Sequence, residues 1–462
     1  MSLVRFYLFA LLCIPFYIGP EIAANVQINV ERALLALLLL LVGLGILRGV
    51  VGPALESLAA QRPLILTLLV LFFFWRALAA VFSGVAVAKY IFVNELISNA
   101  FVFILFYGSF LRQDMETEAL RIFRMSAFWM LAVVAFEIAT GTNPFTALAP
   151  DSADVATANA AIQRLGVLRT KGTFEHPLTL GNFVTLLLPI FLFLDARFMR
   201  RRAALMVAAA LIICGAMTGS RTTGVLMASE LAFYFIFRGL WFVRSGRSIN
   251  FGHLLWPLFP LAMTAVVAFV EERTGRGVFE DYVRAAQIHN GILAIESAPW
   301  LGFGQGSGAI HSLAEAMRYG EGSMRLWDAN LATIDNWYLS VLLASGYPGA
   351  TLFVSLQMAV LLPPIALLLS RRARERLARE KTLGLFAGLT LSVAAGNAFM
   401  VILSIFTLHP LHYIIQAWLV FHTAKHVGII GQDRANLRAA SVAPIARGST
   451  ARDPAEQGAP WT

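Results

Sequence analysis

The chain has 462 residues, of which 58% are hydrophobic and only 14% charged, and its mean hydropathy is +0.71. A soluble chain carries roughly 25% charged residues, so this composition excludes a water-solvated globular domain and points to a polytopic membrane protein. Cys13 and Cys214 both lie in apolar runs and read as small hydrophobes rather than a disulfide or metal pair, and the net charge of +9 argues for nucleic acid only if the cations are not topology signals.

In chain order, about twelve apolar runs can be marked as spans, which need roughly 17 to 25 residues; several are shorter, so the boundaries are soft. They are Phe6 to Ile18, Ala33 to Leu47, Pro63 to Phe82, Tyr90 to Leu111, Met125 to Thr140, Leu178 to Leu194, Ala203 to Met217, Thr222 to Phe237, His253 to Val270, Gly349 to Leu369, Leu383 to Ile405 and Leu411 to Lys425. The first, with Arg5 before a short apolar core, also has the form of a secretory signal peptide. The fold expected is an all-α polytopic membrane protein over residues 1–430, followed by a disordered cytoplasmic tail at 431–462 that is rich in Ala, Arg, Gly and Pro.

With the N-terminus inside, the inside loops fall near residues 48–62, 112–124, 195–202, 238–252 and 371–381. Together with Arg5 and the C-terminal end they hold 24 of the 36 Lys and Arg. Both termini are therefore expected on the cytoplasmic side. The clusters Arg200 to Arg202 and Arg371 to Arg376 then mark topology, so no nucleic-acid partner is expected. There is no Walker loop and no internal repeat, so any reaction must draw on an activated substrate or a gradient.

Two outside segments are long enough to carry function, 141–177 and 271–336, the second preceding the tenth span. The first holds Asp151, Asp154, Arg164, Arg169, Lys171, Glu175 and His176. In the second, Phe279, Val283, Ala286 and Leu293 fall near one stripe at helical spacing, which predicts a helix lying on the membrane surface or capping the bundle. The glycine-rich Pro299 to Gly308 follows, either a simple connector or a turn whose backbone N–H groups approach a phosphate. The segment closes on Thr333-Ile-Asp-Asn-Trp-Tyr-Leu339 and Gly346-Tyr-Pro-Gly349.

Four of these patterns occur in one order: Gly172-Thr-Phe-Glu-His-Pro-Leu-Thr-Leu-Gly-Asn182, Thr218-Gly-Ser-Arg-Thr-Thr-Gly224, Arg284 leading to Pro299-Trp-Leu-Gly-Phe-Gly-Gln-Gly306, and Asp335-Asn-Trp-Tyr-Leu339 with Gly346 to Gly349. As an ordered set over about Gly172 to Leu369, they resemble the O-antigen ligase and polymerase family; the N-terminal spans match only in hydropathy. The resemblance implies a GT-C-like membrane glycosyltransferase in the bacterial inner membrane with its active face periplasmic. Its partners would be an undecaprenyl-pyrophosphate-linked oligosaccharide, an acceptor glycan and membrane lipids, with room for a chain-length regulator. No metal and no cofactor are expected. The ligase branch carries His where this chain has Asp335, and that departure favours a polymerase of exopolysaccharide or O-antigen repeat units.

The chemistry needs cations for the leaving pyrophosphate and a group that aligns or deprotonates the acceptor hydroxyl. Arg suits the first task because its fork stays charged and binds phosphate oxygens bidentately. Arg221, in a short turn between spans, and Arg284, on the surface helix, are the choices for it. Asp335 is the choice for the second, with a helix N-cap as its alternative role. Arg169, Lys171, Glu175, His176, His289, Asn336 and Tyr338 are the expected substrate-binding residues, and Asp328 and His311 are spare acid-base candidates. Arg76, mid-span after Phe72-Phe-Phe-Trp, reads equally as functional, snorkelling or helix-pairing. Trp300, Trp327 and Trp337 are sugar-stacking residues or interface anchors. Two other readings stay open: a ligase transferring glycan to lipid A core or protein, and a transporter of lipid-linked oligosaccharide, against which the lack of repeated halves argues.

Overall fold

Apolar length decides most of the architecture, because a backbone in lipid must satisfy its own hydrogen bonds and a helix does so within one segment. The computed structural model describes residues 2–145, 148, 163–241, 278–305, 334, 336–402 and 408–426, apart from isolated positions within them. The helices are α1 (Ser2–Cys13), α2 (Val30–Gly43), α3 (Arg48–Gln61), α4 (Pro63–Phe82) and α5 (Ala86–Glu95), the last running through a π-helical turn at Leu96–Phe101 into α6 (Val102–Phe110). Then come α7 (Met115–Thr140), α8 (Pro177–Phe193), α9 (Arg201–Met217), α10 (Arg221–Trp241), α11 (Val278–Ile295), α12 (Trp337–Leu369), α13 (Arg371–Arg379) and α14 (Leu383–Ile402). A last helix, α15, covers residues 409–426. Two antiparallel ribbons of two or three residues, Glu21–Ala23 with Val26–Gln27 and Gln163–Arg164 with Val167–Leu168, are the strands among the described residues.

The chain is an α-helical membrane protein. Among the described residues, five helices are long and apolar enough to cross a bilayer, or six if α2 and α3 count as one span bent by 83°. Helices α1 and α8 are shorter and apolar. Large apolar side chains such as Leu40, Leu64, Phe74, Phe82, Met206 and Phe235 point outward, an exposure that suits lipid and not water. Helix α8 is apolar on every side and buried from Thr179 to Phe193, so it forms the axis of the bundle, with α9, α10 and α14 packed around it. Gly181 removes the side chain where Thr223 of α10 crosses, the small-residue contact on which close packing in lipid relies.

Two expectations change in detail. Residues 48–61, expected as an inside loop, form α3, which packs through Val50 and Ala54 against Gly108 of α6. Helix α1 buries Val4, Tyr7, Leu8 and Leu12 in the main core and packs on α7 and α2. The span expected from Gly349 begins at Trp337, because a break at Gly346 lets a further helical segment stack on it. The expected span at 253–270 and the tail at 431–462 lie outside the described residues.

The two ends of the bundle differ in charge. At one end Arg197 donates to the Glu380 carbonyl at 3.1 Å, Asp195 accepts from the Leu385 amide at 2.9 Å, and His422 stands 2.7 Å from Glu116. The basic stretches 197–202 and 371–381 gather there. At the opposite end lie the loop before α8, the α9–α10 turn and the starts of α12 and α15.

Candidate functional site

The loop from Arg169 to His176 is fixed from both sides. Arg169 Nε donates to the Thr218 carbonyl at 2.9 Å and the Thr170 amide to that of Met217 at 3.0 Å, which tie the loop to the last turn of α9. Glu137, buried at the end of α7, accepts from the backbone amides of Lys171 at 3.0 Å and Gly172 at 3.1 Å and from the side chain of Asn143. Asn143 in turn donates to the Gly172 carbonyl at 2.7 Å. Gly219, at φ 58°, turns the chain out of α9, and the Ser220 hydroxyl accepts from the Thr223 amide at 3.2 Å to cap α10. Arg221 is the first residue of α10 and is half-buried beside that loop. Arg169 and Arg221 thus belong to one wall.

Burial sets the protonation of the loop. It raises the Glu175 carboxyl above its usual range, with Arg32 and Lys171 opposing, and it lowers the Lys171 ammonium against the pull of Glu137 and Glu175. His176 is extended, as a residue before proline must be, and its Nδ1 accepts from the Leu178 amide at 3.1 Å, so it caps α8 with Pro177 in the first turn. Burial, then Arg169 and Lys171, lower its pKa to about 4. The ring is therefore neutral at pH 7, with its hydrogen on Nε2. Against an ordinary value of 6.5, the unfolded chain is the better proton binder between the two values, so His176 makes stability fall as pH drops from about 6.5 to about 4. His176→Asn keeps a good cap and removes the titration. Its melting temperature in nanodiscs is expected to fall less than wild type over that window; coincident profiles would show that His176 does not titrate there.

The glycine-rich turn is a structural clasp. The Phe303 amide donates to the Leu343 carbonyl at 2.8 Å, that of Gly304 to Ala344 at 3.2 Å, and that of Tyr347 back to Pro299 at 2.8 Å. Trp75 Nε1 joins in, 3.2 Å from the Trp300 carbonyl and 3.0 Å from that of Ser345. The bonds to Leu343, Ala344 and Ser345 serve carbonyls that the break at Gly346 frees from α12, which takes the Phe303 and Gly304 amides out of consideration for phosphate. The connector reading is the right one for them.

Beside the loop is a cavity of about 260 Å³, between the end of α1, the start of α2, the π-helical turn, Phe174 to Thr179 and the starts of α12 and α15. Glu31, Arg32, Glu95 and Glu175 stand in its wall, with Trp337, whose ring lies 4.3 Å from that of His409. Glu95 is ion-paired with Arg76, which is 1% exposed. The Gln305 amide completes the pair's surroundings, its oxygen 3.1 Å from Arg76 Nε and its nitrogen 3.0 Å from the Ala88 carbonyl. Arg76 is thus a helix-pairing charge. Among the described residues, no group of three His, Cys, Asp or Glu is placed to hold a metal ion.

Of the residues singled out from sequence, Arg169, Lys171, Glu175, His176 and Arg221 come together around one loop. Asn336 caps α12, its side chain accepting from the Leu339 amide at 3.0 Å, so the cap falls one residue after Asp335. Tyr338 is half-buried and packs edge-on against Phe353. Arg284 stands in α11 one turn before Gln287, and its side chain lies outside the described residues, as do Asp335, Asp151, Asp154, His311, Trp327 and Asp328. His289 is exposed on α11, away from the buried Asn290 and Gly291.

Of the expected stripe, Leu293 is 46% exposed, and the side chains of Phe279, Val283 and Ala286 lie outside the described residues. Helix α11 turns Gln287, Asn290, Gly291 and Ile295 inward and Ile288, Ile292 and Leu293 outward. Gly291 makes this possible, since a Cβ there would meet Leu339 Cδ1 at 2.6 Å. Glu137, Asn143, Glu31, Arg32, Glu95 and Asn99 were not picked out by sequence. Their one signal was polarity inside or at the edge of an apolar run.

No protein-family model matches the chain, and no curated protein matches it significantly.

Proposed function

We propose that the chain is a membrane glycosyltransferase that polymerises undecaprenyl-pyrophosphate-linked oligosaccharide repeat units, in a bundle of about twelve spans of GT-C-like architecture, at the periplasmic face of a bacterial inner membrane. The observation that carries it is the loop Arg169 to His176: its first residues join Arg169 and Lys171 to the Arg221 turn, and its last residues, Phe174 and Glu175, reach the cavity. Such a loop brings a cationic wall for a pyrophosphate next to a carboxylate-lined space for a hydroxyl-bearing acceptor. The wall lies at the end opposite the basic stretches, which the positive-inside rule places in the cytoplasm. In this reading Arg221, with Arg284, stabilises the leaving pyrophosphate, and Asp335 orients or activates the acceptor hydroxyl.

Arg221→Ala and Asp335→Ala are each expected to abolish polymer while the protein remains in the membrane. Analysis of lipid-linked glycans in a deletion strain separates the alternatives. Single repeat units accumulating on the carrier support a polymerase, and long lipid-linked chains would make the enzyme a ligase. Units trapped at the cytoplasmic side would replace both by transport.

A further inference from the structure

At the basic end of the bundle, two stretches distant in sequence form one surface. Residues 195–202 and 371–381 hold ten Lys and Arg against three acids. Arg197, bonded to the Glu380 carbonyl, joins the two stretches, and Asp195, which accepts from the Leu385 amide, ties the same loop to α14. Helix α13 buries Ala373 and Leu377 in the main core. Its opposite face therefore turns Arg371, Arg372 and Arg379 outward, while Lys381 at its end and Arg200 and Arg202 at the start of α9 are exposed as well. Glu375 is engaged by Arg371 at 2.8 Å and Glu380 by Arg376 at 3.2 Å, so the acids of the helix are already partnered and the charge left over is positive.

This surface borders the lipid-facing one. Leu369, 51% exposed, stands just before Arg371, and Met206, 62% exposed, follows Arg202 by about one turn. Exposed apolar side chains of this size suit lipid tails, so cations one turn away from them stand at the depth of the headgroups. Lys381 adds an independent observation. Among the described residues it is the one non-glycine with positive φ, at 55°. Its amide donates to the Ala378 carbonyl at 3.1 Å and the Thr382 amide to that of Leu377 at 3.0 Å, the paired bonds of a Schellman cap whose left-handed position glycine fills without strain. A strained lysine at an exposed position points to a task for its side chain.

We propose that α13 and the start of α9 form a binding surface for the phosphate headgroups of anionic phospholipids in the cytoplasmic leaflet. The arginine forks take phosphate oxygens bidentately, and Lys381 takes one as a point charge. A basic helix that directly follows a span is the arrangement that anionic leaflets attract, and the flanking Leu369 and Met206 favour lipid over a soluble acidic partner as the occupant. None of these residues belongs to the Arg221 wall, so the surface stands whether or not the chain transfers glycans.

The test places the full chain in nanodiscs of phosphatidylcholine, alone or mixed with phosphatidylglycerol, and follows thermal unfolding; native mass spectrometry identifies the lipid that the protein keeps on extraction from mixed membranes. Phosphatidylglycerol is expected to raise the melting temperature and to be retained in preference. The rise is expected to shrink between about 0.1 M and 1 M salt, as the screening length falls from about 10 Å to about 3 Å. Arg372→Gln/Arg379→Gln, on the outer face of α13, is expected to melt as wild type in phosphatidylcholine and to hold phosphatidylglycerol about fivefold more weakly for each cation removed. Lys381→Gly separates backbone from side chain. It is expected to melt at least as high as wild type in phosphatidylcholine, because the strain is gone, and to gain less from phosphatidylglycerol. Equal melting of wild type in the two lipids, or an undiminished rise in both variants, would overturn the surface. So would an equal rise produced in phosphatidylcholine nanodiscs by inorganic phosphate or by polyglutamate, which would make a free anion or an acidic protein segment the occupant.

Discussion

Gly346→Ala is expected to lose most of the folded protein. Gly346 sits at φ 70° and ψ −177°, a backbone region essentially reserved for glycine, where another residue costs about 1–3 kcal/mol. A Cβ there would also stand against the Trp300 carbonyl oxygen and 2.5 Å from that of Pro299, adding overpacking of about 1–3 kcal/mol. The clash is with backbone on both sides, so no rotamer change relieves it. Gly302, at φ 65° and 2.7 Å from the Ser345 amide for an added Cβ, faces it across the same clasp. Thermal unfolding and protease sensitivity of the 299–305 segment in nanodiscs measure the effect. A Gly346→Ala protein that melts within a degree or two of wild type would mean that the clasp does not hold the break in place.

Arg76→Met is expected to destabilise the bundle by about 3–5 kcal/mol, the loss incurred when one partner of a buried ion pair is removed and the other stays charged. Arg76 is 1% exposed and Glu95 16%, so the pair is largely withdrawn from water, and water in the cavity beside Glu95 sets the loss toward the lower end of that range. The double variant Arg76→Met/Glu95→Gln is expected to recover most of the loss, because the cost lies in the uncompensated charge and not in the missing contact. Unfolding in detergent across the double-mutant cycle reads this directly. Additive losses in the double variant would show that the two charges are not coupled.

The helices that cross the bundle were legible in the sequence because lipid demands long apolar runs, and α4, α8 and α14 follow theirs closely, while α7 begins at Met115, ten residues before its run, within a stretch expected as a loop. Helix α3 was not, since 48–61 carries Arg48, Glu56 and Pro53 and reads as a loop until Gly108 is seen to receive it. Helix α11 was legible as a helix, but its packed face, with Gln287, Asn290 and Gly291 inward, was not, because polar residues and a glycine make no apolar stripe. For the site, the motifs located Arg169 to His176 and Arg221 to Gly224. The partner that shapes the loop, Glu137, is over thirty positions earlier. The cavity wall is assembled from α1, α2, the π-helical turn and the start of α15, and no local pattern announces such a gathering.

The Gly346 break has a further consequence. Ile295, Ile334, Leu339, Leu343 and Ala344 form an apolar cluster of their own, apart from the main core. The turn of α12 above the break therefore belongs to two bodies at once, gripping the cap with Leu339 and Leu343 and the bundle with Trp337, Tyr338 and Val341. A seam of this kind lets the cap loosen as a cooperative unit while the spans below stay folded. In such a loosening α11 and the 299–305 clasp part from the bundle while the spans keep their places in the bilayer.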